Sequence, residues 1–310
     1  MFIIKLGIRE TVMLRTLTSR ILALLTAALL VESASAQLLS LTAVRDGRVE
    51  AELIAEHTAV VPGETARVGL RLKMDEGWHT YWKNPGDSGM ATSIEWQLPE
   101  GVTAEDIDWP APHYYEVGGL ASYGYEGEIV LPVVIHVPAD FKGERVRLRA
   151  SADWLVCKEA CEPGAANLFL NLLITEAGGA EINTQAKQLF AWADSRTGMA
   201  VISEDGEAEV TATGDTYRLR LPSPEFQGFA AQGGDVRFFP EDPKPIAMSA
   251  TQVVEFSRDE ELTLLLERNP TAAEPVDRLA GVLAWHNPED MNDTRFFRVD
   301  LPVRNVAQSQ

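Results

Sequence analysis

Cysteine is nearly absent from this chain. Cys157 and Cys161 are the only two in 310 residues, so at most one intramolecular disulfide can form. No C-x2-C, H-x3-H or methionine-rich cluster accompanies them. A soft-metal site for Cu(I) or zinc, built from the pair with His79 and His113, therefore lacks a supporting ligand pattern, and no metal or cofactor is expected. Long apolar runs are missing as well. The stretch from Ile21 to Val31 is shorter than the about 20 residues a spanning helix needs, and nothing downstream is long or apolar enough either. Basic side chains are scarce: 27 Lys and Arg stand against 46 Asp and Glu, a formal charge of −19. A field of that sign repels phosphate backbones and anionic headgroups, which makes nucleic acid and membrane surfaces poor partners. The acidity is expected to serve solubility. Hydrolytic constellations are also lacking. Gly86-Asp87-Ser88-Gly89 has no strand–elbow–helix setting, and Glu95, Glu105, Asp106 and Asp108 show no pairing. There is no low-complexity segment and no convincing internal repeat.

What is present begins with an export pattern. Met13 is a plausible start, followed by Arg15, Arg20, the short apolar run and Ala34-Ser35-Ala36, an A-x-A cleavage site. Residues 1–36 read as a cleaved signal peptide, with Gln37 first in the mature chain and no membrane span left in it. Removing four basic and two acidic side chains with that segment leaves 23 against 44, a net charge of about −21. The predicted location is the periplasm, where disulfides persist.

The roughly 274 remaining residues exceed the usual size of one domain. Val68, Leu70 and Leu72 alternate with Arg67, Gly69 and Arg71, the period of a half-buried strand, and residues 145–150 repeat it. Ile129 to Val137 is nearly continuous and β-branched, as in a central strand, although Pro132 argues for an edge or a bulge. Turn clusters at Pro62-Gly63, Asn84-Pro85-Gly86 and Pro99-Glu100-Gly101 separate these runs. The pattern is that of an all-β sandwich over residues 37–177. From Glu181 to Arg196 the apolar positions Ile182, Ala186, Leu189, Phe190 and Ala193 take helical spacing, so 178–197 reads as a linker with a short helix. Strand rhythm then resumes at 217–221, 236–239, 253–256, 262–266, 279–285 and 296–303. It predicts a second β-rich, sandwich-like domain over 198–305 and a polar tail, 306–310.

The cysteine spacing itself is informative. In an extended strand, residues four apart lie roughly 13 Å apart, whereas a disulfide needs Cα atoms within about 7 Å. A bridge demands a tight turn over Lys158-Glu159-Ala160 or one helical turn. Closing so small a ring constrains the unfolded chain by only about 2 kcal/mol. That weak structural return favours a reversible dithiol/disulfide over a fixed clip. Lys158 lowers a neighbouring thiol pKa, while Asp153, Glu159 and Glu162 raise it, so no strongly activated thiolate is expected.

Three stretches carry a family resemblance: residues 75–86 (DEGWHTYWKNPG), the Tyr-Gly-Tyr segment leading into Leu131-Pro132-Val133, and Cys157 to Pro163. In this order they resemble the N-terminal periplasmic domain of the thiol:disulfide interchange protein DsbD and its copper-sensitivity-suppressor relatives. The resemblance covers about residues 40–175 and continues more faintly beyond. It implies an immunoglobulin-like sandwich whose cysteine pair, matching Cys157 and Cys161, cycles between dithiol and disulfide. Tyr81 and His79 match the segment beside that pair. The region from His113 to Tyr125 takes the place of a shielding cap, with Tyr114, Tyr115, Leu120 and Tyr123 as candidates for the shielding side chain. The implied partners are a thioredoxin-like electron donor or a separately encoded membrane electron transporter, and a disulfide-containing periplasmic client. Full-length relatives add a multi-helix membrane domain and a thioredoxin-like domain, which are not found before Gln310. By resemblance, Cys161 is the better candidate to meet the partner. The alternative is a non-catalytic binding or assembly module in which Cys157–Cys161 is a structural clip.

Overall fold

A computed structural model describes residues 42–197, 199–202, 208–221, 234–257, 261–272, 276–287 and 293–305; the predicted signal peptide and the tail lie outside them. Strict alternation shapes the first sheet. In β2 (Val49–Ala55), Val49, Ala51, Leu53 and Ala55 point inward and the residues between them do not. β2 lies between β1 (Val44–Asp46) and β4 (Thr65–Met74). β4 pairs antiparallel with β10 (Glu128–His136) from Lys73↔Glu128 to Thr65↔His136. On its far side β10 meets β7 (Thr103–Ala104) only at Ile135 and His136. Pro132 thus sits where that edge has no strand, the setting in which a missing N–H costs no ladder bond.

The second sheet runs in the order β3 (Ala59–Val60), β12 (Cys161–Ile174), β11 (Arg145–Cys157), β5 (His79–Gly86), β9 (Leu120–Glu126) and β8 (His113–Val117). β6 (Ser93–Gln97) also pairs with β11. Inward residues of the two sheets, among them Leu53, Leu70, Leu72, Leu131, Trp82 and Trp154, form one apolar core. This is the predicted sandwich.

The helix, α1 (Lys187–Thr197), begins later than the apolar spacing suggests. Backbone bonds from Thr58 N to Glu181 O (2.8 Å) and from Asn183 N to Glu56 O (2.8 Å) hold residues 181–183 extended. Asn183 then caps the turn, its carbonyl accepting from Lys187 N and its Oδ1 from Gln185 N. Ala186, Phe190 and Ala193 pack on Val130, on the face of β10 opposite the sandwich core.

A third sheet follows. Its path is β16 (Asp235–Pro240), β19 (Arg278–His286), β20 (Thr294–Asn305), β14 (Glu209–Thr213), β15 (Thr216–Leu221), β18 (Leu262–Glu267) and β17 (Val253–Phe256), with β13 (Ala200–Ile202) beside β20. Every run with resumed β rhythm is a strand here. The described residues from Val44 onward pack as one unit. Asn84 donates to Pro240 O (2.7 Å), Lys83 pairs with Glu241 (2.8 Å), Ser249 donates to Asp87, and Tyr123 meets Phe239 edge-on at 5.1 Å.

Candidate redox site

All thirteen residues of β11 pair with β12, from Arg145↔Leu173 to Cys157↔Cys161. The cysteines are the last rung before the turn Lys158-Glu159-Ala160, which Lys158 N closes on Ala160 O at 3.2 Å. Their Cα atoms are 4.1 Å apart and their sulfurs are bonded. The tight turn that the spacing demands is thus the end of a hairpin. Near this end the Trp154 indole packs on Gly164, where a Cβ would stand 2.4 Å from the indole nitrogen. The two sulfurs differ in access: Cys157 is 3 % exposed, whereas Cys161 faces solvent.

β5 lies on the other side of Cys157. His79 is the register partner of Cys157 on β11 and of Glu126 on β9. Directly paired residues project to the same face of a sheet. Glu126, His79, Cys157 and Cys161 therefore form a transverse row across four adjacent strands. His79 is 4 % exposed, and its buried Nε2 has no hydrogen-bond partner. Tyr115 stacks on its ring at 5.2 Å, and Tyr81 meets it edge-on at 5.4 Å. Burial pushes the His79 pKa down, because the charged imidazolium loses hydration.

Tyr81 closes the other side of the pair. Its hydroxyl lies 3.9 Å from Cys161 Sγ and must donate, since a disulfide sulfur carries no proton. Burial raises its pKa, which keeps the hydroxyl protonated. The ring is held from behind by Gly89 at φ +117°, where a Cβ would stand 2.3 Å from Tyr81 Cε1. Lys158 reaches back to Glu76 O at 3.4 Å, and Glu162 pairs with Arg48 at 3.6 Å.

The predicted cap region is a hairpin, β8 and β9 joined at Gly118 and Gly119, both at positive φ (62° and 82°) as a two-residue turn requires. Strand parity divides its residues. Tyr115 faces the cysteine side and stacks on His79; burial, then Glu126, pushes its pKa well up. Tyr114 faces the third sheet, under the Arg237 guanidinium at 3.7 Å. Tyr123 is buried between Tyr114 and Phe239. Leu120 is 46 % exposed at the hairpin tip. The structure therefore gathers Cys157, Cys161, His79, Tyr81 and Tyr115, and it turns Tyr114 and Tyr123 toward the third sheet because neighbours on a strand point to opposite faces. His113 is held elsewhere. Its Nε2 accepts from Arg196 at 2.8 Å, and burial, then Arg196 and His286, lowers its pKa to about 4. His136 pairs with Glu105 at 2.6 Å on the surface.

Gly89, Glu126 and Arg196 escape sequence reasoning. Their roles depend on which strands become neighbours, and no local motif marks them. Among the described residues no group of three or more His, Cys, Asp or Glu is placed to hold a metal ion, and no helix is long and apolar enough to cross a membrane.

Comparison with known proteins places this geometry. Residues 50–173 match the family model "Thiol:disulfide interchange protein DsbD, N-terminal". The N-terminal periplasmic domain of ScsB from Proteus mirabilis superposes with a TM-score of 0.59 at 15 % identity, over 84 % of this chain and 96 % of that one, a likeness of fold. A protein of unknown function from Porphyromonas gingivalis W83 aligns over 83 % of this chain and 100 % of its own at 12 % identity, but its TM-score of 0.25 carries no argument. No curated protein sequence matches. The match covers the cysteine-bearing sandwich, residues 50–173, which is the part of this chain that is similar to the DsbD N-terminal family.

Proposed function

We propose that this is a periplasmic thiol–disulfide exchange protein that relays reducing equivalents through Cys157 and Cys161. The donor is a thioredoxin-like protein or a separately encoded membrane electron transporter, and the acceptor is a periplasmic client with a disulfide. The family match points to thiol–disulfide interchange. The observation that carries the reading is the unequal pair: one sulfur open to solvent and within 3.9 Å of the Tyr81 hydroxyl, its partner buried on the rung next to His79.

The chemistry follows that inequality. In the reduced protein, the Cys161 thiolate attacks a client disulfide. A Cys161–client bond forms, and the client's other sulfur leaves as a thiolate. Cys157 then attacks Cys161 Sγ, the intramolecular disulfide forms, and the client leaves with its second thiol. Two electrons have passed to the client. A donor dithiol restores the pair by attacking Cys161, with Cys157 as the leaving thiolate. Tyr81 stays protonated and donates toward Cys161 Sγ, the sulfur exchanged in every step.

The competing reading is a binding or assembly module with a fixed clip. It is the poorer fit, because thirteen paired residues already align the hairpin and a five-residue ring adds only about 2 kcal/mol. The reduction potential decides between them, measured by thiol trapping in graded thiol buffers. A value above about −300 mV is expected of an exchanging pair, and a lower one, typical of structural bridges, would leave the clip.

A further inference from the structure

The exchange scheme leaves one proton without a destination. Cys157 is 3 % exposed, so when it must attack as a thiolate its proton has no ready route to water. A thiol of ordinary pKa, about 8.5, is mostly protonated at neutral pH, and burial makes the thiolate scarcer still. The row Glu126–His79–Cys157–Cys161 places an imidazole beside that thiol. The imidazole nitrogen Nε2 is buried without a hydrogen-bond partner, an arrangement that costs free energy and calls for an explanation.

We propose that His79 takes the Cys157 proton as Cys157 closes onto Cys161, so that the buried sulfur attacks as a thiolate at neutral pH. The step balances. Cys157 S–H gives its proton to the neutral imidazole, and the Cys157 electron pair forms the bond to Cys161 Sγ. The bond from Cys161 to the partner sulfur breaks, and the partner leaves with that electron pair and is protonated by the imidazolium or by water. Burial suits the task, since a base must be neutral before it can accept, and desolvation keeps His79 unprotonated. Tyr115 and Tyr81 hold the ring in place on two sides. The groups around His79 are Tyr81 on its own strand, Tyr115 on β8, Glu126 on β9, Cys157 at the end of β11, Lys158 in the turn that follows, and Cys161 on β12. Glu126 is exposed and Lys158 is turned back to Glu76 O, which leaves the imidazole as the buried base in the row.

This inference rests on the exchange reading, but it is tested by a rate, whereas that reading is tested by an equilibrium potential. The full-length reduced protein is mixed with excess 5,5′-dithiobis(2-nitrobenzoate), and release of the coloured thiolate is followed. The first equivalent reports formation of the mixed disulfide, and the second reports closure by the other cysteine. The Cys157→Ala and Cys161→Ala proteins assign the two. With His79 as acceptor, the closure rate of the unmodified protein is flat between pH 7 and 8. The His79→Gln protein closes at least tenfold more slowly at pH 6.5, and the two converge toward pH 9, where the thiol ionises unaided. A ratio near one at every pH overturns the proposal, as does a slowing that is the same at pH 6.5 and pH 9, the mark of a packing role. If His79→Gln does not fold, the unmodified protein still decides. A closure rate that climbs tenfold per pH unit from 6.5 to 8 means that no acceptor operates.

Discussion

The cysteine-bearing sandwich and the third sheet are built by the same alternation, yet they treat buried polarity differently. Among the described residues, the buried polar side chains His79, Thr80, Asn84, Thr92 and Ser122 lie in the first region, and Thr263 alone lies in the third sheet. Four of those five are on β5 or opposite it on β9, within a few residues of the disulfide or of the junction with the third sheet. Close backbone approaches gather there too. At Gly124 a Cβ would lie 1.9 Å from Thr80 O, which is what lets β9 press against β5. The third sheet relies on Phe238, Leu283, Val299, Leu301 and similar side chains, and its buried Tyr217 hydroxyl is satisfied by Val276 N at 3.0 Å. The contrast lies in the buried polar residues and not in every local rule, since in the third sheet too a Cβ at Gly281 would stand 2.4 Å from Phe239 O and Arg298 Nε is buried without a hydrogen-bond partner.

The sharpest way to break this comparison is a matched pair of core truncations. Trp154→Ala and Phe238→Ala each remove a fully buried ring, and each is expected to cost about 3–5 kcal/mol in denaturant unfolding. Only Trp154→Ala should also change the rate at which a small thiol reduces the disulfide, because Trp154 lies on Gly164 three rungs from the cysteines. An equal change in both variants would erase the distinction.

A smaller effect comes from His113, which joins the cap hairpin to Arg196. Its pKa is about 4 in the folded protein and takes the ordinary value of 6.5 when unfolded. The unfolded chain therefore binds the extra proton first as pH falls. The stability from keeping His113 neutral is complete above about pH 6.5 and is lost progressively toward pH 4, by at most about 3 kcal/mol. Unfolding titrations from pH 7.5 to 4.5 should show this slope, and His113→Gln should flatten it. An unchanged slope would place the titration elsewhere.

The smallest expected effect tests the junction. Asn84→Ala removes the donor to Pro240 O and leaves a buried carbonyl unsatisfied, at about 1–3 kcal/mol. Limited proteolysis should then cut between the sandwich and the third sheet sooner. No change in either stability or cleavage would mean that Phe239 and Glu241 hold the junction without it.

Much of this was legible beforehand because it is local. Alternation at 67–72 and 145–150, the turn over 158–160 and the strand runs after 217 each depend on near neighbours in sequence. The helix starts later than the helical spacing of Ile182 predicts, because the chain there is held extended by Glu56 and Thr58, more than a hundred residues away. The choice between Tyr114 and Tyr115 was out of reach for a related reason. A shift of one residue in strand register exchanges the two faces, and register is set by the pairing of His113 with Gly124. The row from Glu126 to Cys161 joins four strands, so nothing short of the assembled sheet could reveal it.

The twelve rungs beneath the cysteine rung have a mechanical meaning. The S–S bond closes only a three-residue turn, and the rungs from Arg145↔Leu173 to Val156↔Glu162 are held by backbone pairing that does not depend on it. The chain can hold or give up two electrons while keeping nearly the same outline. A docking protein would meet the same contour in either state, and it would learn the charge on offer only by making the sulfur–sulfur contact itself.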